Sequence, residues 1–153
     1  MKKANDNPTI YFDLDGTLYD LYGQTDWLPR LLAHDPSPYA EGNALVDLVA
    51  LHETLCDLIA EGYTVGVVSW CAKGSTPEYD RKVRATKRAW IRENLPTASE
   101  VHIVRYGTPK HRIVNNKTNA ILVDDERENL TKWNRGATID ASTDILAALK
   151  GLN

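Results

Sequence analysis

Two rhythms of apolar and polar residues alternate along the chain. The first is short and nearly continuous: Ile10, Tyr11, Phe12 and Leu14 surround Asp13, which predicts a strand over 9–14 with apolar residues on both faces. Such a strand suits the middle of a covered sheet. It runs into Asp15, Gly16 and Thr17, residues that turn or cap a chain. Similar runs predict strands over 63–70, with β-branched Val65, Val67 and Val68 and Ser69 closing it, over 101–106, and over 120–123, ending at Asp124 and Asp125. A weaker strand is predicted over 137–139.

The second rhythm has helical spacing. In 44–61, Leu45, Leu48, Val49, Leu55, Cys56 and Ile59 define one apolar side, and Gly62 is placed to end the helix. Thr76 and Pro77 are a cap and first residue for a second helix, with Tyr79, Val83 and Trp90 inward and Pro96 as its stop. Thr108 and Pro109 repeat that start before Lys110. Asp125 with Glu128 predicts a reciprocally capped helix, and Ser142 begins a last one with Ile145, Leu146 and Leu149 inward and Gly151 beyond.

Strands alternating with helices predict an α/β fold: a Rossmann-like three-layer domain around a mostly parallel central sheet. Right-handed crossovers would gather the strand C-terminal ends along one edge, where ligands bind in open sheets. The interval 19–43 breaks the pattern. It carries Gly23, Pro29, Pro36, Pro38 and Gly42, fits a short helix over 26–34 followed by irregular backbone, and could serve as a flap or as a packed surface connection.

Composition narrows the class. A chain of 153 residues with 42% apolar residues fits one domain with its own core, 1–153, and excludes general disorder. Eighteen Lys and Arg against 21 Asp and Glu give a net charge of −3, which offers no bulk attraction to nucleic acid or anionic membrane. Cys56 and Cys71 lack the spacing of a zinc site or disulfide framework and read as two reduced thiols, one of them in the core. The opening 1–7 is polar, unlike a signal peptide, and no apolar run nears the ~20 residues of a membrane span. A cytoplasmic protein with no membrane partner is expected; oligomeric state is not legible.

Four features fall at strand ends or first helical turns: Asp13 with Asp15, Ser69, Lys110, and Asp124 with Asp125. Singly, each is ordinary turn or cap chemistry. Together they would converge at one sheet edge, where clustered carboxylates repel unless a hard divalent cation relieves them. A lysine and a hydroxyl beside them suit a phosphoryl group.

The run Asp13-Leu14-Asp15-Gly16-Thr17 after apolar strand residues resembles the first signature of the haloacid dehalogenase-like (HAD) hydrolase superfamily. Val68-Ser69, Lys110 near a helix start, and Ile121-Leu122-Val123-Asp124-Asp125 resemble its second, third and fourth signatures in order, over residues 10–140. The resemblance implies a magnesium-dependent phosphatase working through phosphoaspartate. Asp13 would be the nucleophile. Asp15 would protonate the leaving oxygen, then activate water, and its backbone carbonyl would contribute to Mg²⁺ binding. Asp13 and Asp124 would be the main metal ligands with Asp125 assisting, and Ser69 and Lys110 would hold phosphoryl oxygens. Thr17 would support the first loop. Glu128 is equally an outer metal-site residue or a cap.

Other readings fare worse. A calcium loop needs glycine where Leu18 stands. A receiver domain would carry its acidic pair early, and a P-loop kinase would need a motif that is absent. A catalytically weak phosphate-binding or regulatory domain remains the alternative. No interval holds a large cap, so the expected enzyme is minimally capped, with at most a small flap. Its partner would be a phosphorylated small molecule or nucleotide, or a nucleic-acid 3'-phosphate end. Arg81, Lys82, Arg84, Lys87 and Arg88 give the last idea substance and resemble, weakly, the phosphatase portion of polynucleotide kinase-phosphatases, but a solvated helix face explains them better. Tyr19, Tyr22, Trp27 and Trp70 could stack on a base, though packing explains them as well.

Overall fold

The computed structural model describes residues 8–115 and 117–152; the polar opening 1–7 lies outside them. Five strands form one parallel sheet: β1 (Thr9–Phe12), β2 (Thr64–Trp70), β3 (Glu100–Val104), β4 (Ala120–Asp124) and β5 (Thr138–Asp140), in the order β3-β2-β1-β4-β5. The helices are α1 (Trp27–Leu32), α2 (Pro38–Glu41), α3 (Leu48–Ala60), α4 (Pro77–Asn94), α5 (Lys110–Ile113), α6 (Arg127–Lys132) and α7 (Ile145–Lys150). This is the three-layer α/β arrangement that the alternation predicts.

Side chains alternate across the sheet and build a core on each face. Ile10, Phe12, Val65, Val67, Ile121 and Val123 pack with α3, α4 and α7; Tyr11, Val68, Ala120 and Leu122 pack on the other face with Val114 and Trp133. Strand β1 is buried at every position, as its unbroken apolar run requires. The chain leaves β1 toward β2 on one side and returns to β4 on the other, so the sheet changes direction at β1. That is where a crevice opens in folds of this kind.

Register then fixes the site. Phe12 lies opposite Val123 in the β1–β4 pair, so Asp13 and Asp124, one residue further, emerge abreast, with Asp13 N–H donating to the Val123 carbonyl at 2.9 Å. Phe12 lies opposite Val67 in the β1–β2 pair, which brings Ser69 and Trp70 to the same edge.

Several local expectations are corrected. Helix α3 starts at Leu48 under an Asp47 cap and buries Leu51, Thr54, Leu55 and Leu58; Leu45, Val49, Cys56 and Ile59 face outward, and the thiol in the core is Cys71. The stripe Leu51, Leu55, Leu58 is an equally regular helical repeat, and the sheet selects it. The Pro36–Pro38 stretch is not wholly irregular, because Pro38 opens α2 as a first helical residue. Asp125 does not cap α6, which has Glu126 at its cap position, and Glu128 pairs with Lys132 at 2.7 Å in solvent. Thr108 donates its hydroxyl to the Arg105 carbonyl instead of capping α5. Asp144, not Ser142, caps α7; Ser142 is held in a turn by Asp140. Thr76 does cap α4, accepting from Tyr79 N–H at 3.2 Å. No described helix is long and apolar enough to cross a membrane.

Candidate active site

Asp13 and Asp124 share one ammonium. Lys110, 3% exposed at the start of α5, donates to Asp13 Oδ1 at 2.8 Å and Asp124 Oδ2 at 2.7 Å. Burial alone would lower the Lys110 pKa, but the two carboxylates outweigh it and hold the lysine charged. The other oxygens are also engaged: Thr17 Oγ1 donates to Asp13 Oδ2 at 3.1 Å and Glu126 N–H to Asp124 Oδ1 at 2.9 Å, while Asn129 Nδ2 joins Lys110 on Asp124 Oδ2 at 3.2 Å. The Thr17 hydroxyl thus ties the turn after β1 back to Asp13.

Asp125 completes a triad of carboxylates: one oxygen each from Asp13, Asp124 and Asp125 lies within 4.8 Å of the others. Asp13 and Asp124 are buried, whereas Asp125 is an exposed residue whose carboxyl turns toward the pair. Desolvation first, then the charge of Asp13, raises the pKa of both Asp124 and Asp125. Carboxylates forced to share space with too little positive charge are a donor set for a hard divalent cation. Gly16 makes the approach possible. Its φ is +77°, and a Cβ there would collide with the Asp125 carboxylate.

Asp15 occupies a different place. Its Oδ2 accepts from Lys87 Nζ at 2.8 Å, and its Oδ1 is buried without a partner among the described residues. Lys87, fully buried on α4, also donates to Ser69 Oγ at 2.8 Å and the Trp70 carbonyl at 2.7 Å, and its ammonium lies 4.7 Å from the Tyr39 ring centroid. Ser69 is fully enclosed beneath this lysine and does not line the cavity. Beside Asp15, burial and then the Asp15 charge push the Tyr19 phenol far above its usual range, so it stays neutral.

A cavity of about 340 Å³ opens over these groups, with Asp13, Asp15, Lys110, Asp124 and Asp125 at its floor. Its walls are aromatic and aliphatic: Tyr22, Trp27 and Leu28 from the segment holding α1, and Trp70 and Tyr106 from the ends of β2 and β3. Tyr22 meets Trp27 edge-on at 5.0 Å, as Tyr106 meets Trp70 at 5.0 Å, and Tyr22, Tyr106 and Leu28 stay about half exposed. The wall segment is anchored by Arg30 to Asp35 and Glu41 at 3.0 and 2.8 Å, by Gln24 donating to the Pro38 carbonyl, and by Tyr79 donating to the Asp35 carbonyl.

All six residues expected at the site lie at this sheet edge: Asp13, Asp15, Lys110, Asp124 and Asp125 line the cavity, and Ser69 lies behind it. Sequence reasoning missed Asn129 and misread Lys87. The signal for Lys87 was its spacing, since 79, 83, 87 and 90 fall on one side of α4 and a lysine on an apolar stripe needs a buried partner. The basic group around it splits: Arg84 donates to the Ile103 carbonyl, whereas Arg81, Lys82 and Arg88 remain in solvent.

No family model and no curated protein matches the chain. Among solved structures, it is similar to the D,D-heptose 1,7-bisphosphate phosphatase from Burkholderia Thailandensis at 15% identity, covering 81% of this chain and 70% of that one with a TM-score of 0.48. At that distance the likeness carries no weight for function.

Proposed function

We propose that the protein is a HAD-type phosphatase that hydrolyses phosphomonoesters through a phosphoaspartate on Asp13 with Mg²⁺ as cofactor. The observation that carries this reading is the Asp13–Lys110–Asp124 bridge at the cavity floor, with Asp15 held apart from it by a different lysine. A carboxylate at the end of β1 and a second carboxyl two residues on divide hydrolysis into two displacements.

In the first, an Asp13 oxygen attacks phosphorus, the bond to the leaving oxygen breaks, and Asp15 gives that oxygen its proton. The alcohol departs. In the second, water attacks phosphorus and passes a proton to Asp15 as the bond to Asp13 breaks, releasing inorganic phosphate and restoring both carboxyl groups. Asp13, Asp124 and Asp125, with the Asp15 backbone carbonyl, would hold the cation, and their oxygen-only set fits it. When bound, Mg²⁺ offsets charge on the phosphoryl oxygens. Lys110 adds a fixed positive charge toward the same group.

The cavity walls support a leaving group with a flat or apolar part, for which a nucleotide, or a nucleotide at a phosphorylated nucleic-acid end, is our preferred reading. The segment 19–43, which carries two short helices and part of the wall, acts as the small flap of an otherwise single domain. Two free cysteines and no candidate membrane helix among the described residues suit a cytoplasmic enzyme.

The test is phosphate release from a panel of nucleoside monophosphates, 3'-phosphorylated oligonucleotides and sugar phosphates, with Mg²⁺ and with chelator, for the native protein and Asp13→Asn. Metal-dependent turnover lost in Asp13→Asn supports the reading; full activity in that variant would sink it. A phosphate-binding domain without turnover is the second reading. The enclosure of Ser69 favours it, since that hydroxyl is not presented to the cavity. Saturable ligand binding with no release on the whole panel would establish it instead.

A further inference from the structure

We infer that Lys87 is the positioning residue for Asp15, holding its carboxyl in the place from which it exchanges a proton with substrate. The inference rests on the phosphatase reading above and concerns a residue that reading does not use.

A fully buried lysine is rare, and this one is wholly satisfied. Its three donors go to Asp15 Oδ2, Ser69 Oγ and the Trp70 carbonyl, all at 2.7–2.8 Å, and the Tyr39 ring lies 4.7 Å away. An ammonium has three donors and no acceptor, so this set exhausts it. Ser69 and Trp70 belong to β2, and Lys87 sits in the middle turns of the 18-residue α4; both are rigid elements of the sheet layer system. The ammonium is therefore a fixed point, and Asp15 is tied to it through one oxygen.

That tie fixes how the carboxyl faces. Asp15 lines the cavity, while its Oδ1 is itself enclosed beside the Tyr19 phenol. With Oδ2 held by Lys87, Asp15 is kept from swinging to Lys110, which already serves Asp13 and Asp124. The two lysines divide the three carboxylates: one neutralises the attacking side, the other orients the proton carrier.

A leaving-group series separates this role from simple support of the fold. Alkyl phosphates need the proton from Asp15 as the bond to the alcohol breaks, whereas dinitrophenyl phosphate releases a stable phenolate without it. In Lys87→Met, kcat/KM for an alkyl phosphate should fall about 100-fold or more, the scale of lost general acid catalysis, while that for dinitrophenyl phosphate falls less than about 10-fold. Added to Asp15→Asn, Lys87→Met should change the ratio no further, because the group it positions is already gone. Equal losses on both esters, or a further change of the ratio in the Asp15→Asn background, overturns the proposal. If Lys87→Met does not fold, Lys87→Gln decides by the same ratio, its shorter amide giving a smaller selective loss. Failure of the native protein to cleave either ester in Mg²⁺ would instead refute the phosphatase reading.

Discussion

Lys110 Nζ stands 2.8 Å from Asp13 Oδ1 and holds it beside Asp124, a carboxylate brought from 111 residues later in the chain by strand register alone. One ammonium therefore does the work of keeping two buried acids in the same place before any ligand arrives.

Lys110→Met is predicted to destabilise the metal-free protein strongly. Removing one partner from a buried ion pair leaves an uncompensated charge, at a cost of roughly 3–5 kcal/mol. Urea unfolding at neutral pH should show a lower midpoint with an unchanged slope. Mg²⁺ should recover part of the loss; a midpoint indifferent to both changes would contradict the bridge.

Metal-free stability should fall as pH rises. The folded protein holds protons on Asp124 and Asp125 more tightly than the unfolded chain does, with Asp125 pushed up to about 8 by desolvation and by Asp13 and Asp124. Between the ordinary carboxylate value near ~4 and that raised value, the native state binds more protons than the unfolded one. Stability then decreases with increasing pH across that window. Thermal melts from pH 5 to 8 in chelator check the sign, and saturating Mg²⁺ should flatten the slope as it takes the place of those protons.

Gly16→Ala should weaken the cation site as well as the fold. Alanine at φ +77° costs about 1–2 kcal/mol, and its methyl would displace the Asp125 carboxylate. Calorimetric titration with Mn²⁺ should show affinity down about 10-fold or more, the range for lost supporting groups around a metal. Unchanged affinity would mean that Asp125 takes no part in binding.

Tyr22→Ala and Tyr106→Ala address the cavity wall. Both rings are about half exposed, so folding should be little affected. Loss of a stacking partner costs about 1–3 kcal/mol per base, so KM for nucleoside monophosphates should rise while turnover of a small sugar phosphate stays constant. Parallel changes for both substrates would argue against a flat leaving group.

The acidic floor was legible in the sequence because each residue follows an apolar strand run, and parallel strands bring such ends together whatever lies between them. The parallel α/β order followed from the same alternation. Lys87 was hidden by its neighbours: Arg81, Lys82, Arg84 and Arg88 make a basic helix face, and only the spacing to Tyr79 and Val83 sets it on the inner side. For α3, two apolar stripes compete, and the sheet that chooses between them comes from elsewhere in the chain. Asn129 carries no signature at all, since a single amide one turn past an acidic pair looks like any helix surface position. The fate of Ser69 depended on Lys87, so one missed lysine concealed two roles.

On the proposed reading, the acids stand at strand ends while much of the wall belongs to the segment around α1 and α2, so exchanging that segment would change what the cavity accepts without disturbing the reacting groups. Tyr39 is the exception. It belongs to the exchangeable piece, yet its ring roofs the ammonium that steers Asp15. A graft that omits an aromatic there would inherit new selectivity together with a loosened acid, which marks position 39 as the joint at which specificity and chemistry are inherited together.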